Sequence, residues 1–186
     1  MQADWEFEVG SDAPVIDAHW PGVVDLRMTP ECAGELVEAT EFSALARTLE
    51  KLNGQRSPVW TCKCDFWPVL RSEDFDGDEL DAPFGQAAHA AAVYIDLLPV
   101  KDDAWSQPNL AENAGREFCA RLAGIPLRGC RADLIIRRAV VAPDRTDLGM
   151  TAYITACGAA PVDAKRTLAS ALTAFADALC LDSTLQ

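Results

Sequence analysis

The sequence predicts a single α+β domain over residues 1–186, with a largely antiparallel six-stranded sheet and three helices packed mainly on one face, in the order ββα-ββα-ββα. Three observations lead there. Segments with period-two alternation of apolar and polar residues come in pairs, and each pair is followed by a segment with helical spacing. The last pair is joined by the short polar link Ala142-Pro143-Asp144-Arg145-Thr146-Asp147, which suits an antiparallel hairpin. A parallel sheet needs strict βα alternation, and that hairpin breaks it.

The first strand is expected over Asp4–Val9, where Trp5, Phe7 and Val9 alternate with Asp4, Glu6 and Glu8. A second is expected over Gly22–Met28. The first helix begins near Thr29-Pro30, with threonine as cap and proline at the first helical position, and ends at Asn53-Gly54; Gly34 threatens it early. Pro58–Phe66 alternates sharply, which puts Trp60, Cys62, Cys64 and Phe66 on a buried face and Thr61, Lys63 and Asp65 outside. Ala88–Val100 is apolar on both faces, as in an interior strand covered on both sides. Asn109 and Glu112 have capping-box spacing at the start of the second helix, which Gly124 ends. Ala132–Val141 and Leu148–Cys157 form the hairpin. The third helix runs from Pro161 to about Leu181, with Leu168, Leu172, Phe175 and Leu179 at helical spacing.

Two segments stand outside this scheme: a loop over residues 10–21, and an acidic stretch over residues 71–87, expected as an exposed, mobile connection.

The net charge of −13 argues against a nucleic-acid binder, which needs surplus Lys and Arg for phosphates. No apolar run is long enough to span a bilayer, and Met1–Glu6 lacks a signal-peptide pattern, so a cytoplasmic location with no membrane partner is expected. There an odd count of seven cysteines reads as free thiols rather than a disulfide framework.

Each candidate site has an ordinary structural alternative. His19, in Val15-Ile16-Asp17-Ala18-His19, sits in a fragment of a first-strand metal motif, but Pro21 stands where a second histidine is required. Asp74-Phe75-Asp76-Gly77-Asp78 opens like a calcium loop, yet Glu79 occupies the position needing glycine and Gly85 the position needing a bidentate glutamate. Cys62 and Cys64 have no partner pair to complete a zinc site. No metal and no cofactor is therefore expected. Cys157, just before the last helix, is a candidate nucleophile with His89 or His19 as its base, because a helix N-terminus favours thiolate. Arg131 and Arg137 share one face of a strand, with Arg138 on the other, and are weak candidates for holding an anion; the nearby acids are their more ordinary partners.

With no constellation strong enough for catalysis, the chain reads as a non-catalytic binding or interaction module, with a protein partner. It is expected to form a homodimer through the sheet face that three helices leave bare; the alternative is that the loops at residues 10–21 and 71–87 fold over that face and leave a monomer. The alternatives are a small enzyme or anionic-ligand binder built on Arg131, Arg137 and Cys157, and an acidic chaperone-like protein that holds a basic partner.

Overall fold

Alternation and helical spacing resolve into β1 (Gln2–Glu8), β2 (Ile16–Asp17), a 3₁₀ helix (Pro30–Glu35), α1 (Val37–Glu41), α2 (Ser43–Leu52), β3 (Val59–Val69), β4 (His89–Pro99), α3 (Pro108–Ala123), β5 (Cys130–Ala142), β6 (Arg145–Gly158) and α4 (Pro161–Cys180). This is a computed structural model, and it describes residues 1–69 and 75–181.

The fold is α+β with one six-stranded sheet, in the order β1-β5-β6-β4-β3, while β2 pairs β5 beyond the end of β1. The sheet is mixed rather than largely antiparallel. Both β1 and β2 run parallel to β5, and the other pairs are antiparallel. Alternation within a strand carries no sign of its direction against a partner over 120 residues away, so this pairing lay outside what the pattern could show. The hairpin is tighter than expected: β5 reaches Ala142 and β6 starts at Arg145, which leaves Pro143-Asp144 as the turn.

The described residues hold five helical segments, not three. The expected first helix is broken at Leu36 (φ −67, ψ 138) and at Phe42 (φ −144, ψ 87) into a 3₁₀ helix, α1 and α2. At the second break Phe42 leaves the helical path and stacks on Phe66, ring centroids 4.7 Å apart. Gly22–Met28, expected as a strand, consists of turns and irregular backbone, and Ile16–Asp17 supplies the second strand instead. The capping box at Asn109 does not form. Gln107 is the N-cap without a side-chain bond, and Pro108 opens α3.

Helices α2, α3 and α4 cover one face of the sheet. Leu134, Ile136, Ile95 and Leu97 meet Leu122, Leu168 and Leu172 there, and Phe118 and Phe175 pack edge to face at 5.0 Å.

On the opposite face the structure shows part of the alternative expected from the sequence, a cover made by loops. Ala90, Ala92 and Leu98 are buried rather than bare. Ile16 and Ala18 pack against Leu98, Ala139 and Cys62 at one end, and Leu80 packs against Ala90 and Cys157 at the other. The loop over 10–21 and the described part of the acidic stretch are thus partial covers. Glu73 and Asp74 lie outside the described residues.

The face assignment of β3 also changes midway. A bulge between Thr61 and Cys64 shifts the register, so Trp60 and Cys62 lie on the helix-free side while Cys64 and Phe66 lie under the helices. Thr61, expected outside, is only 3% exposed. It points to the helix side, where Asn53 Nδ2 donates to its hydroxyl at 2.7 Å and its own N–H donates to Asn53 Oδ1 at 3.0 Å.

Candidate functional site

Because Ala132, Leu134 and Ile136 turn toward the helices, β5 presents Arg131, Asp133, Ile135 and Arg137 on the other face. Both of these arginines have carboxylate partners. Arg131 Nε donates to Asp133 Oδ1 at 2.7 Å, and its Nη2 lies 3.5 Å from Asp4. Arg137 donates to Glu8 Oε2 through Nε and Nη2 at 3.1 and 2.9 Å. Its Nη1 reaches Thr151 Oγ1 at 3.4 Å and Tyr153 Oη at 3.5 Å. Arg138 instead donates to the Gly10 carbonyl at 2.9 Å.

Cys157 is buried at the end of β6, and burial pushes its thiol up, opposite to the shift a helix N-terminus alone would produce. Its cross-strand partner is Ala90, so the neighbouring His89, paired with Gly158, projects from the opposite face of the sheet. His19 lies at the other end of the β5–β6 hairpin, with Nε2 2.9 Å from the Val141 carbonyl. Neither histidine is brought to the thiol. Cys62 and Cys64 are separated by the bulge onto opposite faces, and burial pushes each thiol up to about 12. All seven cysteines are unpaired thiols. Among the described residues, no three His, Cys, Asp or Glu side chains converge as metal ligands would.

What the tertiary structure does assemble is a polar row across the helix-free face. Register places Ile135, Thr151 and Asp96 side by side, with Asp133, Tyr153, Tyr94 and Asp65 in the next row. Asp96 is 6% exposed, and Thr151 Oγ1 donates to its Oδ1 at 2.6 Å. Burial raises its pKa, against the Thr151 hydrogen bond and the charges of Lys63 and Arg137. Burial also pushes the Tyr94 hydroxyl up to about 12, with Asp96 adding to it. The Tyr94 ring lies 6.4 Å from Trp67 and 6.0 Å from Tyr153, so the floor of this face is aromatic.

Beside this row, at the β3 edge, a cleft of about 600 Å³ opens between the β3 bulge and the segment from Trp20 to Glu38. Its walls are largely apolar, formed by Val24, Leu26, Leu36 and Val37 with Trp20 and Tyr94. The Trp20 indole N–H donates to the Cys62 carbonyl at 3.4 Å, which pins the loop to the bulged strand. Lys63, the one cation in the lining, stands 5.4 Å over the Trp20 ring. A volume of this size is typical of ligand pockets, as is an apolar wall with a few polar groups. A second cleft, about 370 Å³, lies between β1, β5 and the turn at residues 75–80, lined by Asp4, Glu6, Asp76, Glu79 and Asp133 around Arg131.

Asp96, Thr151, Tyr94, Tyr153, Trp20 and Lys63 were not among the residues singled out by motif. One signal for Asp96 was present: it is the only charged residue in the otherwise apolar stretch Ala90–Leu98. A carboxylate amid an interior strand is more informative than the apolar residues around it. No helix among the described residues is long and apolar enough to cross a membrane. No family model, curated protein or solved structure matches the chain.

Proposed function

We propose that the chain is a non-catalytic binding module and that the cleft at the β3 edge is its binding surface. The supporting observation is the cleft itself: open apolar walls beside an indole, an ammonium, a phenol and a buried carboxylate. An anion site at Arg131 and Arg137 has less support, because each guanidinium already carries a carboxylate. A catalytic Cys157 lacks an adjacent base. Seven unpaired thiols fit a reducing, cytoplasmic setting.

The neutral dye Nile red, titrated with the intact chain, is expected to brighten saturably. Val24 and Val37 are 47% and 72% exposed at the mouth of the cleft, so the double substitution Val24→Ser/Val37→Ser leaves the fold intact. It is expected to weaken the dye about fivefold, from roughly 1 kcal/mol of lost apolar contact. No saturable brightening, or equal affinity in the variant, would remove the cleft as a binding surface.

Self-association through the helix-free face is a second reading, favoured by the aromatic strip Trp67, Tyr94 and Tyr153. Light scattering across a micromolar dilution series should then give twice the 20.1 kDa chain mass. A mass that stays at that of one chain rejects the dimer and leaves the cleft untouched.

A further inference from the structure

We propose that the cleft at the β3 edge takes a basic amphipathic peptide segment, in which an apolar anchor is flanked by lysines or arginines. The assignment rests on the cleft being a binding surface and adds the chemistry of its occupant.

Charge is the first ground. Between Arg27 and Arg47 the chain contains no lysine or arginine, but it contains Glu31, Glu35, Glu38 and Glu41. These sit on the 3₁₀ helix and α1, and Glu35 and Glu38 line the cleft together with Asp65 from β3. Among the described residues none of these five acids is in a salt bridge. Some acids elsewhere are compensated, Asp25 by Arg27, Asp81 by Arg128, Asp102 by Arg145, Glu8 by Arg137 and Asp177 by Lys51, whereas Glu6, Asp76 and Glu79 at the second cleft are, like these five, in no salt bridge among the described residues. The cleft is therefore a place where uncompensated negative charge gathers beside apolar surface.

That arrangement works against the folded chain when nothing is bound. Within α1, Glu38 and Glu41 are three residues apart, a spacing at which like charges repel on a helix, and Glu35 stands just before its first turn. Here they load a segment already broken into a 3₁₀ helix and a five-residue α-helix, with no side-chain cap on either. A cationic ligand relieves that repulsion, whereas an anionic ligand or a nucleic acid increases it. Lys63 stands over Trp20 in the same lining and offsets one of the three carboxylates there, which leaves the rim net negative.

Apolar surface is the second ground. Val24 and Val37 stand exposed at the mouth, and Leu26 and Leu36 lie within. A small polycation could meet the acids but would leave these walls wet. A peptide with leucines at i, i+4 and flanking lysines satisfies both, which is how a groove recognises an amphipathic segment.

The test uses the intact chain and a short fluorescein-labelled synthetic peptide with leucines at helical spacing and lysines elsewhere, followed by anisotropy at about 50 mM salt. Saturable binding is expected, weakening as salt rises. Replacing every lysine by glutamate, or every leucine by serine, is expected to weaken binding at least about tenfold. The protein variant Glu35→Gln/Glu38→Gln/Asp65→Asn is expected to lose about tenfold. All three positions are at the surface, and circular dichroism checks that the fold is kept.

General acidity is the rival explanation, so a control removes the same charge from the second cleft. Glu6→Gln/Asp76→Asn/Glu79→Gln is expected to bind like the unaltered chain. Equal weakening by both triple variants, or full binding of the serine peptide, would overturn the inference. If Nile red binds and no basic peptide does, the occupant is wrong and the cleft stands as a binding surface. If neither binds, the cleft assignment itself fails.

Discussion

Gly158→Ala is expected to lower stability by about 3 kcal/mol or more, a drop in Tm of roughly 6–12 °C for a chain of this length. Gly158 closes β6, and only Ala159 and Ala160 separate it from Pro161 at the start of α4. Its backbone has no need of a left-handed conformation; the constraint is space. A Cβ at this position would lie 2.4 Å from the Ala164 backbone nitrogen, 2.6 Å from the Asp163 carbonyl carbon and 2.7 Å from Asp163 Cβ. None of these is the end of a flexible side chain, so relief requires the first turn of α4 to move. That helix cannot shift freely, because Leu168, Leu172 and Phe175 are fully buried along it. Denaturant unfolding with Gly10→Ala as a control separates crowding from a general effect of removing glycine. Nothing approaches a Cβ at Gly10, and its change is expected to stay within about 0.5 kcal/mol. A Gly158→Ala protein as stable as that control would show that α4 and β6 are not held this closely.

Asp96→Asn is expected to stabilise the protein at neutral and alkaline pH, by about 1–3 kcal/mol, and to change it little under acid conditions. Burial raises the folded-state pKa of Asp96 above its ordinary value. From about pH 4 upward, the unfolded chain therefore releases this proton while the folded chain retains it. The stability this residue contributes is fully present below the ordinary carboxylate pKa and is lost as pH rises through the folded value. Asparagine has no charge to bury and can still accept the Thr151 hydrogen bond through its carbonyl oxygen. The advantage of the variant should thus open as pH rises and then level off. Thermal melts of both proteins from about pH 4.5 to pH 8.5 read this directly. A variant less stable at every pH would mean that Lys63 and Arg137 outweigh the burial, and that the carboxylate is ionised in the fold.

Much of the fold was legible because its elements have an intrinsic period. The alternation in β1, β5 and β6 and the helical spacing of Leu168, Leu172, Phe175 and Leu179 depend only on which residues turn inward. Where a single residue departs from the period, the pattern misleads. In β3 one bulge sends Thr61 inward and divides Cys62 from Cys64, although both thiols share one face in a regular strand. Likewise Phe42 breaks a stretch with helical spacing so that its ring can stack on Phe66, a contact between residues the local pattern treats separately.

The candidate site was less legible than the fold. By itself the sequence determined an acidic, mixed α and β chain, an apolar interior strand carrying one carboxylate, and arginines with acids in reach. Only the tertiary structure decided that β1 and β2 run parallel to β5, that His89 and Cys157 lie on opposite faces, and that Trp20, Lys63 and Tyr94 meet at one cleft. The physical reason is the range of the interactions. Periodicity and capping act over a few residues, whereas a cleft forms where segments distant in sequence leave space between them.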